Sequence, residues 1–160
     1  LFRSMERILA AADRASSGAP LADHETEAAL KDSDSAVRYW AVMGILIRGA
    51  AVVEHWRAKL EAALQDDSPY VRIAASETLG RYGSDQEATA ALTVLVDLAD
   101  SVKHGTYVAL HALNAIDATG NRAAPFKAKI AGLPTVDPKS PSRVNREYAT
   151  NLVKWLGTKL

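Results

Sequence analysis

The sequence predicts an all-α fold, a right-handed superhelix of about three stacked helical hairpins with a helical cap at each end. Three observations predict it. The segment Ala29 to Arg38 returns as Ala63 to Arg72 with every counterpart 34 residues on, and a fixed period of that length marks similar units that each bury an apolar face against the next. Inside the second unit, Leu60, Ala63 and Leu64 share one helical face, and Val71, Ala74, Ala75, Thr78, Leu79 and Tyr82 share another. Between the two faces lies Asp66-Asp67-Ser68-Pro69, where Ser68 can cap the following helix and Pro69 suits the first helical position because it has no N–H to leave unpaired.

The elements follow in order as one helical-repeat domain. Residues 1–21 form a leading cap, helical from Phe2 to Ala15 and broken by Ser16-Ser17-Gly18-Ala19-Pro20. Residues 22–49 are the first unit and residues 50–83 the second. Gly49 and Gly83, also 34 apart, close the second helix of each unit and are expected to take the left-handed conformation that ends a helix. Residues 84–120 are a worn third unit: Leu98, Asp100 and Leu113 keep register with Leu64, Asp66 and Leu79, but Gly105-Thr106 replaces the Val-Arg pair. Residues 121–160 are the C-terminal cap, with a short helix around Phe126 to Ile130, a Pro-bearing loop from Gly132 to Ser142, and an amphipathic helix through Val144, Tyr148, Leu152 and Trp155.

Composition narrows the function. At 160 residues and 48% hydrophobic content the chain can bury a core in one domain. Nineteen basic and nineteen acidic residues cancel, so the molecule as a whole carries no field that favours nucleic acid or acidic membranes. The balance is local, because residues 1–121 hold 11 Lys/Arg against 17 Asp/Glu and residues 122–160 hold 8 against 2. The longest run without Asp, Glu, Lys or Arg, His104 to Ile116, has thirteen residues, below the ~20 that span a bilayer. With no cysteine in the chain, disulfides, thiolate metal sites and cysteine nucleophiles are excluded. The chain opens Leu1-Phe2-Arg3, and we expect it to be an excised part of a longer polypeptide.

The sharpest motif is an acid followed six residues later by an arginine: Asp32 with Arg38, and Asp66 with Arg72. The acid sits in the turn and the arginine one turn into the next helix, so the guanidinium can reach a carboxylate of its own unit or the neighbouring one and set the rotation between units. We read these four residues as architecture. The stretch Val37 to Ile47 has no polar face between Arg38 and Arg48, which predicts burial on all sides; the competing expectation is that Tyr39 and Met43 dock on another domain or protein. The basic tail, Lys127, Lys129, Lys139, Arg143, Arg146, Lys154 and Lys159, is a candidate contact for a sulfated polymer, with affinity that falls as salt rises.

No catalytic constellation stands out. His24, His55, His104 and His111 are too scattered for a ligand pair on one helix, although His104 and His111, seven apart, can share a helix face. Asp66 and Asp67 are adjacent and point apart on a turn, which does not suit paired acid–base work. No phosphate loop, nucleophile elbow or zinc helix is present, and no cofactor or metal is expected in this chain.

The succession Asp66 to Gly80, an acid followed by Val-Arg, an alanine-rich stretch and Leu-Gly, resembles the signature of HEAT-like repeats, which implies a stack of helical hairpins that binds or supports. A narrower likeness runs through Asp34 to Val42, Ser68 to Ala75 and Ala109 to Asp117. It resembles the C-terminal helical extension of bacterial sulfatases. That resemblance implies a parent enzyme that hydrolyses sulfate esters with a formylglycine nucleophile and a calcium ion, in a periplasmic or extracellular setting. The nucleophile motif of such enzymes is absent here, since its nearest approach, Lys139-Ser140-Pro141-Ser142-Arg143, places a lysine at the nucleophile position. The expected role is therefore a non-catalytic packing or interaction module, with the catalytic domain of the same polypeptide or another protein as partner. The alternative is a free-standing repeat adaptor.

Overall fold

The computed structural model describes residues 2–136 and 143–160, with backbone alone for residues 2, 3 and 143–146. Every regular element among the described residues is helical: α1 (Phe2–Ser16), α2 (Asp23–Leu30), α3 (Ser35–Arg48), α4 (Ala50–Ala63), α5 (Pro69–Tyr82), α6 (Asp85–Leu98), α7 (Ser101–His104), α8 (Thr106–Ala118), α9 (Lys127–Ala131) and α10 (Arg143–Lys159), with a 3₁₀ segment (Gly120–Phe126) between α8 and α9. The protein is the all-α repeat superhelix that the 34-residue period predicts.

The hairpins pair α2 with α3, α4 with α5, α6 with α8, and α9 with α10, while α1 packs on α3. Across hairpins the second helices touch directly, α3 on α5, α5 on α8 and α8 on α10. The first helices are instead bridged by long polar side chains: Lys59 Nζ lies 3.0 Å from Glu27 Oε1, His55 Nε2 lies 3.2 Å from Asp23 Oδ2, and Arg57 reaches Glu87. Direct contact among α3, α5 and α8, against ion-pair bridges between α2, α4 and α6, makes α3, α5 and α8 the closer-packed, inner side of the stack.

The core is continuous along the stack. Val42, Ile45, Val53, Trp56, Leu60, Val71, Ala75 and Leu79 form one buried cluster, and Leu92, Leu95, Leu98, Leu113, Ile116, Ile130 and Leu156 form the next. Helix α5 is the most enclosed element, with Val71, Ile73, Ala74, Ala75, Ser76, Thr78, Leu79 and Gly80 all buried between α3, α4, α6 and α8. Helix α3 does not fulfil the expectation of burial on all sides: Ile47 is 53% exposed and Tyr39 and Met43 are half-buried. It lies toward one end of the stack, where α1 and α2 cover only part of its surface. In α10 the buried stripe is Ala149, Val153 and Leu156, while Tyr148 and Trp155 stand more than half exposed. The aliphatic stripe fits the surface of α8, and the aromatics carry their polar tips to water.

Caps and turns match the repeat only in part. Asp34 caps α3 by accepting from Ala36 N at 3.0 Å. Ser68 holds the equivalent place before α5, but its side chain makes no cap bond; the turn is closed by Asp66 Oδ1, which accepts from Ser68 N at 2.8 Å. Gly49 takes φ +74° as expected, whereas Gly83 has φ −76°. Gly83 is needed for space, because a Cβ there would lie 2.6 Å from Leu79 O and 3.0 Å from Glu87 Cβ. Gly83→Ala is therefore expected to cost about 1–2 kcal/mol, measurable as a lower midpoint in urea denaturation.

Candidate functional site

The two Asp–Arg motifs meet different fates. Arg38 donates from Nε and Nη2 to the two carboxylate oxygens of Asp66 at 2.7 and 2.8 Å, and from Nη1 to its own unit's Asp32 carbonyl at 2.8 Å. Both side chains are mostly buried, at 16% and 13% exposed. Burial pushes the Asp66 carboxyl up, but the hydrogen bonds from Arg38 and from Ser68 N, with Arg38's charge, leave it below the usual carboxylate range. Asp32 in turn accepts from Arg7 of α1 at 2.9 and 3.0 Å. In both pairs an arginine reaches the acid of the segment that follows, Arg7 to Asp32 and Arg38 to Asp66.

Arg72 does not make the next clasp. Its Nε is buried without a hydrogen-bond partner among the described residues, and the acid that should receive it, Asp100, accepts instead from Val102 N and Lys103 N as the cap of α7. The third unit also differs in its backbone: Gly105, with φ +82°, splits the helix that is continuous in the earlier units into α7 and α8. The same break separates His104 from His111, so they share no helix face. His104 Nε2 pairs with Asp97 at 3.0 Å. Among the described residues no group of three His, Cys, Asp or Glu side chains is placed to hold a metal ion.

The inner side carries a groove of about 310 Å³ across α3, α5 and α8. Tyr39 and Met43 line it from α3; Tyr70, Ile73, Ala74 and Glu77 line it from α5; His111, Asn114, Ala115 and Ala118 line it from α8. Rows across the groove are spaced by the repeat: Met43, Glu77 and His111 are successive members of the 34-residue series, as are Tyr39 and Ile73. Tyr70 and His111 meet edge to face, with ring centroids 5.3 Å apart at 83°. Glu77 Oε1 is 3.1 Å from Arg81 Nη1. Burial pushes the Tyr39 hydroxyl up, and the Glu77 charge adds to that shift. Sequence reasoning singled out Tyr39 and Met43 here and missed Glu77 and His111, although projecting Met43 forward by one and two periods finds both.

The basic tail is distributed over the C-terminal cap. Lys127 and Lys129 are exposed on α9 and Lys154 on α10. Lys129 Nζ lies 5.6 Å from the Phe126 ring. Lys159 is committed to Asp117 at 2.6 Å. Lys139 and the side chains of Arg143 and Arg146 lie outside the described residues. No helix among the described residues is long and apolar enough to cross a membrane.

A family model described as HEAT repeats matches residues 23–116. No curated protein and no solved structure matches the chain.

Proposed function

The chain belongs to the HEAT-repeat family, and on that premise we propose that it is a non-catalytic interaction module whose protein partner docks in the groove across α3, α5 and α8. The groove carries the reading. It is the place on the inner side where half-buried Tyr39 and Met43 and exposed Tyr70 stand beside polar groups, Glu77, His111 and Asn114. Amphipathic rings with few torsions give large contact area at low entropic cost, which is what interface anchors need. The test is a photo-crosslinking side chain placed at Tyr39 or Tyr70, compared with one at Thr93 or Gln86 on α6. Adducts with a partner are expected from the groove positions. Adducts only from α6 would overturn the assignment.

A more specific reading makes the partner a sulfatase catalytic domain in the same polypeptide. One observation favours it: the three segments that resemble sulfatase extensions, 34–42, 68–75 and 109–117, contain seven of the ten groove residues, including Tyr39, Tyr70 and His111. The coding DNA upstream of Leu1 tests it. A frame continuing into a Cys/Ser-x-Pro-x-Arg domain is the expected result, and a start codon near Leu1 makes the protein a free-standing adaptor. For the exposed lysines of α9 and α10, weak contact with a sulfated polymer is proposed. Retention on heparin in low salt checks it, and passage without delay ends it.

A further inference from the structure

We infer that the groove receives a cationic side chain, an arginine or lysine from a basic segment of the partner, seated among Tyr39, Tyr70 and His111 with the Glu77 carboxylate beside it. This rests on the reading of the groove as a protein-docking site and names the chemistry that the site selects.

Charge complementarity carries the argument. No lysine or arginine lines the groove, and Glu77 is its one carboxylate. The Glu77 side chain is only 22% exposed, so its charge acts through a medium less polar than bulk water. Arg81, on the next turn of α5, occupies Oε1, and Oε2 has no hydrogen bond from the described residues. That oxygen is the acceptor an incoming guanidinium or ammonium group requires. The same groove is lined by Tyr39 and Tyr70, and tyrosine rings attract cations through their quadrupoles; Tyr70 and His111 stand perpendicular to each other there. Burial raises the Tyr39 hydroxyl and the Glu77 charge adds to it, in keeping with a carboxylate on α5 that faces α3.

The rest of the groove suits the stem of such a residue. Ile73, Ala74 and Ala115 offer apolar surface to a run of methylenes, while the charged head reaches the carboxylate. A neutral apolar occupant would cover Glu77 Oε2 without supplying it a donor, which opposes binding. At longer range, residues 1–121 carry 17 acidic against 11 basic side chains, a balance that favours a basic over an acidic partner segment.

The test is a titration of the ¹⁵N-labelled full chain with two blocked pentapeptides, Gly-Ala-Arg-Ala-Gly and the same peptide with norleucine replacing arginine. The arginine peptide is expected to shift the amide signals of Glu77, His111 and Asn114 and to bind about fivefold more tightly than the norleucine peptide. Glu77→Gln should abolish that preference with its spectrum otherwise unchanged, and Tyr70→Ala should weaken the arginine peptide as a second, independent variant. Equal binding of both peptides in the groove overturns the cationic reading and leaves the docking site standing. Shifts confined to other surfaces, no shifts at all, or a preference that survives Glu77→Gln also overturn it. If crosslinks form from Tyr70 while the arginine peptide fails, the partner docks through other chemistry.

Discussion

Asp66→Ala is expected to destabilise the protein by about 3 kcal/mol, while Arg72→Met, one period beyond Arg38, leaves stability within about 1 kcal/mol or raises it. The contrast follows from where each group's bonds go. Asp66 takes two donors from Arg38 and one from the backbone of Ser68, and its removal strands a mostly buried guanidinium as well as opening the turn before α5. Removing one partner of a buried pair is costly because the other charge stays behind uncompensated. Arg72 has a buried Nε with no partner, so methionine keeps the packing of the stem and removes an unpaired donor. Urea denaturation of the two variants, compared with wild type under identical conditions, checks both.

The second large effect is a response to acid centred on Glu87. This residue closes the capping box of α6, with its Oε2 accepting from Ser84 N at 2.6 Å and its backbone N donating to Ser84 Oγ at 3.3 Å, and it also receives Arg57 from α4. Burial pushes its carboxyl up, yet the bonds from Ser84 and Arg57 and the charge of Arg57 prevail and hold it at about 2, against 4.5 for a free glutamate. A carboxyl whose folded value is depressed contributes its full stability above the unfolded value and loses it as pH falls through the folded one. Glu87 therefore supplies stability on the order of 2–3 kcal/mol at pH 7 that disappears between about pH 4.5 and 2. Glu87→Gln should be less stable than wild type by that amount at neutral pH, with the gap closing toward pH 2. A gap that does not change with pH would show that the carboxylate's charge plays no part in joining α4 to α6.

How much of this was legible in the sequence depends on which physical signal each feature leaves. The faces of the second unit were readable because Leu60, Leu64, Val71, Ala75 and Leu79 repeat at helical spacing, and all five are buried. The clasp was half readable. The spacing of Asp32 from Arg38 put an acid within reach, but the partner is the acid 28 residues ahead, and only the packing of one hairpin on the next determines that. The failure at Arg72 coincides with a helix break at Gly105, whose positive φ pairwise alignment of units does not express. Trp155 and Leu156 show another limit. Both are apolar and adjacent, and the surface of α8 decides which one is buried.

The groove falls between these cases. Its residues occupy repeat positions outside the core stripe, where the period continues but residue type is free to vary, so Met43, Glu77 and His111 share a place and no chemistry. Periodicity located the row; only the stacking of α3, α5 and α8 made it a site. That stacking depends on the register between units, and we propose that the Arg38–Asp66 clasp is the polar contact that does most to set it.

A double-mutant cycle on Arg38 and Asp66, run beside one on Arg72 and Asp100, tests this claim most directly. The account predicts a coupling of at least about 1.5 kcal/mol for the first pair and additivity within about 0.5 kcal/mol for the second. Additive effects at Arg38 and Asp66, or an equally large coupling between Arg72 and Asp100, would contradict it.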